Sequence, residues 1–171
     1  MNSVEYNKDL LVQADPLQLL QQIVCKDTDI VLKQGEKLLF SQKMKRKTVT
    51  NRVTGSKTTG NSGRVHLFKG VSISAGSSER KSIREDVTEF FCGTLYITNK
   101  RILFLSEKKG FEVPYTKISK LERNKESGNS VKIFEGQKFY EVVTDENNSV
   151  RMTLIHRHIV SLMNDGRIGQ L

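Results

Sequence analysis

Basic side chains are concentrated in one segment of the chain, and the chemistry available to them is the binding of anions. Residues 41–84 hold eleven Lys or Arg residues and one acidic residue, whereas the rest of the chain carries seventeen basic and eighteen acidic residues. This segment therefore carries +10, and the remainder carries −1. Such asymmetry favours an anionic partner, either a membrane surface or a nucleic acid. A solvated basic hairpin that only aids solubility is the alternative interpretation.

The residues that we expect to face an anion lie along the extended parts of this segment. In a strand, side chains at positions 43, 45 and 47 share one face, because strand side chains alternate. Near an anionic membrane each basic residue contributes about 1 kcal/mol. A nucleic acid is disfavoured, because a stacking platform needs aromatic rings and Phe68 is the only one between residues 41 and 84. The predicted anion-binding residues are Lys43, Lys45, Arg46, Lys47, Arg64 and Lys69.

Residues 55–60, with the sequence GSKTTG, have the outline of a phosphate-binding loop. A P-loop needs Lys and then Ser or Thr directly after the second glycine, to reach the phosphates and the metal. Asn61 and Ser62 stand there instead, and strand-like sequence flanks the run on both sides. The pattern therefore excludes a nucleotide site of this type.

Metal and nucleophile chemistry find little support in the sequence. His156 and His158 are two residues apart, and a zinc site would need two further ligands. Cys25 and Cys92 lie far apart without metal-ligand spacing, which is typical of a reduced, cytosolic protein, although a single disulfide stays open. No nucleophile–base signature is present. The sequence predicts no metal, no cofactor and no enzymatic activity.

Two segments have helical patterns. Asp15 and Pro16 form a helix start, and apolar residues recur at near-helical period after them. We expect one helix or two short ones over residues 16–34, within an N-terminal appendage at 1–35. Apolar residues from Ile155 to Met163 predict a short C-terminal helix.

Between these helices the sequence predicts many short strands. Residues 36–74 read as a two-stranded arm with a tip at 55–63, inside a basic hairpin arm at about 41–84, and 75–87 read as a loop. Residues 145–148 read as a turn. The further predicted strands are 91–98, 102–106, 110–113, 118–123, 131–134, 138–143 and 150–154.

The block from Gly93 to Leu105, GTLYITNKRILFL, is followed eight residues later by Val113-Pro114 and then by Ile118 and Leu121. This order of features resembles the GRAM and bacterial PH-like domains. The resemblance implies a mainly β fold with helices: a PH/GRAM-like small β-barrel over residues 36–171 with a C-terminal helix and an N-terminal helical segment. It also implies that the motif residues serve mostly to build the fold. Those residues are Gly93, Thr98, Asn99, Lys100, Arg101 and Pro114.

Together, motif and charge predict a non-enzymatic binding module that engages anionic lipid headgroups through the basic arm. The alternative is a protein-assembly or adaptor domain that uses exposed strands, which includes a homo-oligomer. No apolar run is long enough to span a membrane and the N-terminus lacks a secretory pattern. We therefore expect a cytoplasmic protein, peripheral on the inner face of the membrane if the lipid hypothesis holds.

Overall fold

The computed structural model describes residues 15–25, 29–68, 71–124 and 129–171, with the backbone alone described between 58 and 80. These residues form two α-helices and seven β-strands, with short 3-10 helices at Tyr115–Lys117 and Ile168–Gln170. The elements are α1 Pro16–Gln22, β1 Leu38–Phe68, β2 Val71–Thr98, β3 Arg101–Leu105, β4 Phe111–Pro114, β5 Ile118–Asn124, β6 Ser130–Glu135, β7 Lys138–Val143 and α2 Glu146–Asn164. The predicted fold class is confirmed: the protein is mainly β, with an antiparallel sheet and a C-terminal helix.

The chain divides into two compact units. The core unit contains Met1–Lys47 and Phe90–Leu171, and the hairpin unit contains Thr48–Glu89. Strands β1 and β2 each contribute residues to both units. The predicted boundary between residues 35 and 36 stays a prediction.

The sheet of the core unit curls around a single main core. Its strand order is β4-β3-β2-β1-β7-β6-β5, so β4 and β7 are four steps apart, roughly 19 Å in a flat sheet. Yet the rings of Phe111 on β4 and Tyr140 on β7 stack with centroids 4.3 Å apart. Curling lets residues from both ends of the sheet, such as Val113 and Ile133, share one cluster of buried side chains. Phe104 is fully buried in this cluster.

Gly93 is required where β2 crosses β3. A Cβ at this position would collide with the carbonyl oxygen of Leu105 and would lie 2.7 Å from the ring of Phe104. The absence of a side chain therefore lets the ring of Phe104 pack directly against the β2 backbone.

Both helices cover the core. In α1, Asp15 caps the N-terminus and Leu20 is buried in the core cluster. In α2, Asp145 accepts a hydrogen bond from the backbone N–H of Asn148 at 2.8 Å. The buried residues of α2 recur at helical spacing: Ser149, Met152, Ile155, Ile159 and Leu162.

Five predictions about elements are wrong. Residues 146–148 and 150–154 belong to α2, and Asp145 caps this helix. The alternation at 150–154 fits a helix as well as a strand. Residues 75–87 are strand, and the predicted arm tip at 55–63 is also strand. Finally, α1 ends at Gln22, and residues 29–35 contain no helix.

A physical reason accounts for the missed strand at 75–87. The side chains described in the hairpin unit, at 48–57 and 81–89, are all exposed or partly exposed. A ribbon that buries neither face needs no apolar alternation, so the pattern that reveals most strands is lost.

Candidate functional site

Arg46 on β1 contacts the β3–β4 turn and one ring on each of β4 and β7. Its Nη1 donates hydrogen bonds to the carbonyl oxygens of Lys109 and Gly110, each at 3.1 Å. Its guanidinium carbon also lies 5.4 Å from the ring centroid of Phe111 and 5.2 Å from that of Tyr140. Arg46 thus ties the β3–β4 turn to the start of β7.

The charge of Arg46 is not neutralised. Burial lowers the pKa of its guanidinium, and the Tyr140 phenol acts in the opposite direction. Within the described residues Arg46 forms no ion pair with a carboxylate, and its buried Nε makes no hydrogen bond. A second cation lies beside it, because Lys138 Nζ is 4.7 Å from the ring centroid of Tyr140.

A cleft of about 940 Å³ lies between the end of β2 and the β3–β4 turn. Two of its apolar lining residues are unusually open to solvent: Phe90 is 56 % exposed and Leu105 is 48 % exposed. Lys108 lines the cleft, and Lys109 Nζ lies 5.4 Å from the ring centroid of Phe91. The cleft therefore combines exposed apolar surface with cations.

A second cleft of about 710 Å³ adjoins the first, since Cys92 and Gly93 line both. Lys43 and Lys45 line this second cleft, and both are exposed. The buried neighbour between them is Met44, as strand alternation requires. We call the two clefts with Lys43, Lys45, Arg46, Lys108 and Lys109 the cationic rim.

The predicted anion-binding residues lie in different places in the structure, and some of them do not line the clefts. Lys43 and Lys45 lie on the cationic rim, and Arg46 supports it. Lys47 Nζ instead lies 3.7 Å from Glu141 Oε2, so its charge is partly compensated. The side chain of Arg64 and the whole of Lys69 lie outside the described residues.

The sequence reasoning missed the contribution of the β3–β4 turn. Lys108 and Lys109 follow the strand that ends at Leu105, and neither lies within the basic segment at 41–84. Two consecutive lysines at a predicted turn could have been noted. Their proximity to Arg46 could not, because the hydrogen bonds join residues 63 and 64 positions apart.

The motif turn at 98–101 is occupied with contacts inside the protein. Asn99 Oδ1 accepts from Lys37 N at 2.8 Å, and its Nδ2 donates to Gly35 O at 3.1 Å. Lys100 Nζ donates to Gln34 O at 2.6 Å. The turn thereby fastens the segment before β1 to the sheet. Pro114 lies opposite Arg101 at the end of β4.

Arg101 is the centre of a buried ion-pair cluster. Its Nε donates to Glu36 Oε1 at 2.7 Å, and its Nη1 donates to Glu112 Oε1 at 2.9 Å. Burial raises the pKa of Glu36, but hydrogen bonds from Arg101, Lys33 N and Thr98 outweigh it, so the net pKa lies below the ordinary value. The charges here are satisfied locally.

Histidine and cysteine do not assemble into a metal site in the part of the chain that the structure describes, where no cluster of three potential ligands occurs. His156 lies on α2, stacked on Tyr115 with ring centroids 5.7 Å apart. Burial lowers the pKa of both His156 and His158. Cys25 and Cys92 are free thiols. None of the described helices has the length and apolar character needed to span a membrane.

Comparisons with known proteins give one structural likeness. No family model and no curated protein matches the chain. Among solved structures, the chain is similar to the Vps36 N-terminal PH domain, with 10 % sequence identity and a TM-score of 0.44. The match covers 78 % of this chain and 86 % of that one. The GRAM family itself stays a prediction.

Proposed function

We propose that the core unit is a non-enzymatic binding module that attaches to anionic lipid headgroups through the cationic rim. One observation carries this proposal: exposed cations and exposed apolar side chains border the same pair of adjoining clefts. Lysines at 43, 45, 108 and 109 supply attraction to phosphates, and Arg46 adds a charge that no carboxylate compensates in the part of the chain that the structure describes.

The balance of charge around the clefts favours an anion. Two carboxylates, Glu107 and Glu112, line the first cleft. Glu112 is already paired with Arg101 and Lys33. Glu107 is therefore the one carboxylate among the described lining residues that forms no ion pair.

Exposed apolar side chains favour a membrane over a soluble anion. Phe90 and Leu105 are about half exposed beside the lysines. At a lipid surface the lysines would meet phosphates while these two side chains enter the interface, which buries apolar area that water otherwise contacts. Such a protein would be cytoplasmic and peripheral on the inner face of the membrane.

A vesicle co-sedimentation assay tests the proposal. We expect the full chain to pellet with phosphatidylcholine vesicles that contain phosphatidylserine and to stay in solution with phosphatidylcholine alone. The double variant Lys108→Gln/Lys109→Gln should lower the affinity by on the order of tenfold or more, at about 1 kcal/mol for each lysine.

The matched control is Lys37→Gln/Lys100→Gln, which removes the same charge from the opposite end of β3. It should bind like the wild-type protein, because neither residue lines the clefts: the backbone N–H of Lys37 donates to Asn99 Oδ1, and Lys100 Nζ donates to Gln34 O. Equal pelleting with neutral and anionic vesicles, or equal losses in the two double variants, would overturn the proposal.

A further inference from the structure

The hairpin unit is a two-stranded antiparallel ribbon in a regular register. Hydroxyl groups on β1 donate to carbonyl oxygens on β2: Thr48 to Glu89 at 3.4 Å, Thr50 to Val87 at 3.5 Å and Thr54 to Ile83 at 3.5 Å. Each step forward along β1 is matched by an equal step back along β2. The pairing is therefore continuous, without a bulge, over these residues.

Both outer edges of this ribbon lack a neighbouring strand among the described elements. β2 pairs with β3 only from Thr94 to Ile97, and β1 pairs with β7 only from Lys45 to Lys47. Two strands alone are marginally stable in water, and a long open edge is a template for pairing with another strand. The hairpin unit thus offers an edge that a further strand would complete.

The register shows which backbone groups point to the open edge of β2. The carbonyl groups of Ile83, Val87 and Glu89 face β1, because β1 hydroxyl groups reach them. In an antiparallel ribbon the N–H and C=O of one residue point to the same side, and the direction alternates along the strand. Ser82 and Arg84 therefore present their backbone groups outwards.

Two antiparallel copies of the segment around Ile83 would place basic residues of one copy opposite acidic residues of the other. Basic residues precede Ile83, at 80 and 81, and two acidic residues, at 85 and 86, follow it after the basic Arg84. If two copies of β2 lie antiparallel with Ile83 at the two-fold axis, Lys81 of each copy meets Glu85 of the other. The same register pairs Ser82 with Arg84, which are the residues with outward backbone groups.

We propose that β2 pairs with β2 of a second copy of this chain, centred on Ile83, to form a four-stranded sheet across a two-fold axis. Ile83 is 45 % exposed in the single chain and would contact its counterpart at the axis. This proposal uses the hairpin unit and does not depend on lipid binding by the core unit.

The β1 edge does not offer the same match. Its charged residues in the described stretch 48–57 are Arg52 and Lys57, and both are basic. Two antiparallel copies of this stretch have no carboxylate to place opposite these cations, and Arg52 already pairs with Glu89 at 2.8 Å within the ribbon. We therefore place the second copy against the open edge of β2 and not against that of β1.

A charge exchange tests the pairing by sedimentation velocity over a concentration series. The wild-type chain should form dimers as its concentration rises. Lys81→Glu places two carboxylates opposite each other at both ends of the pair, and should weaken the dimer by about tenfold. The double variant Lys81→Glu/Glu85→Lys restores opposite charges and should restore the dimer. Lys57→Glu makes the same charge change on β1 and should leave the dimer unchanged.

A cysteine variant gives a second readout that does not depend on charge. Directly opposed residues in a non-hydrogen-bonded antiparallel pair have Cα atoms about 4.5 Å apart, within disulfide range. With Cys25 and Cys92 replaced by Ser, Ile83→Cys should form a covalent dimer on mild oxidation, and Val53→Cys on β1 should not. A wild-type chain that stays monomeric at high concentration, a charge exchange that fails to restore the dimer, or equal cross-linking of both variants would overturn the proposal.

Discussion

Two arginines on the same sheet, Arg101 and Arg46, each hold a segment of chain in place, but by different chemistry. Arg101 bonds to two carboxylates and to the carbonyl oxygen of Val31, with its side chain 9 % exposed. Arg46 bonds to two carbonyl oxygens and lies against two aromatic rings, without a carboxylate among the described residues. The first arrangement cancels charge, whereas the second fixes a turn and leaves a positive charge at the surface.

This difference separates the structural part of the motif from the candidate binding part. A neutralised buried cluster contributes to stability and has no net charge to attract a ligand. A cation held by carbonyl groups and ring faces can contribute to stability and also attract an anionic ligand, since neither partner carries a full negative charge. The following predictions test this division.

The largest effect should come from removing the Arg101 guanidinium. Arg101→Met leaves the Glu36 carboxylate, whose side chain is completely buried, without its main partner. Breaking a buried pair in this way costs about 3–5 kcal/mol of unfolding free energy. Urea unfolding followed by circular dichroism measures it.

The control for Arg101→Met is Lys120→Met, which breaks an exposed pair with Glu122 at 2.9 Å. Exposed pairs contribute about 1 kcal/mol or less. Similar losses of unfolding free energy in the two variants would show that the Arg101 cluster does not hold residues 31–37 in place.

The cost of Arg101→Met should also depend on pH in a defined direction. In the wild-type protein the pKa of Glu36 lies below its ordinary value of 4.5, so its stabilisation is present above that pH and is lost as the pH falls through the folded-state pKa. Without Arg101, burial is the largest remaining cause and raises this pKa.

The difference in unfolding free energy between wild type and Arg101→Met should therefore shrink as the pH is lowered from 7 to below 4.5. Urea unfolding at several pH values measures this difference directly. A difference that stays constant over this range would mean that the Glu36 carboxylate does not titrate as the cluster requires.

The contrast between the two arginines also shows what the sequence could reveal. The β2–β3 hairpin was predictable, because its turn residues and apolar strands are local, and β3 runs within one residue of the predicted bounds. The contacts of Arg101 with Glu36 and of Arg46 with the 109–110 carbonyl groups were not predictable. In each case the two partners are 63 or more residues apart in the sequence. Two of the predicted anion-binding residues, Lys43 and Lys45, lie on the candidate site because strand alternation alone turns them outwards.

Secondary-structure predictions were wrong where the local hydrophobic pattern fitted more than one element or was absent. The alternating stretch at 150–154 satisfies both strand and helix periods over five residues, and only the Asp145 cap and the packing of α2 decide between them. The hairpin unit gave no apolar signal, because no side chain described within it is buried. A helix or strand can be predicted from hydrophobic periodicity where one of its faces is buried, because burial is what selects apolar residues at regular spacing.

A smaller stability effect is expected for Arg46→Met. It removes two hydrogen bonds to carbonyl oxygens and two cation–ring contacts, and it leaves no buried carboxylate unpaired. We expect a loss of about 1–3 kcal/mol. Hydrogen exchange should become faster in the β3–β4 turn at 106–110, whereas in Arg101→Met it should become faster at 31–37. Acceleration at 31–37 in Arg46→Met would contradict the division between the two arginines.

The smallest effect separates the charge of Arg46 from its role in positioning the turn. Arg46→Met should weaken binding to phosphatidylserine vesicles by about fivefold, the equivalent of one cation near the surface. Arg46→Lys keeps the charge but lacks the planar guanidinium, whose carbon lies 5.4 Å from the ring centroid of Phe111 and 5.2 Å from that of Tyr140. If Arg46 acts only as a charge, Arg46→Lys should bind like the wild type. If it also orients Lys108 and Lys109, Arg46→Lys should lose affinity as well, and the loss should vanish in a Lys108→Gln/Lys109→Gln background. We expect the second result, because a lysine ammonium lacks the flat guanidinium face that lies against the rings of Phe111 and Tyr140 and so fixes the position of the side chain.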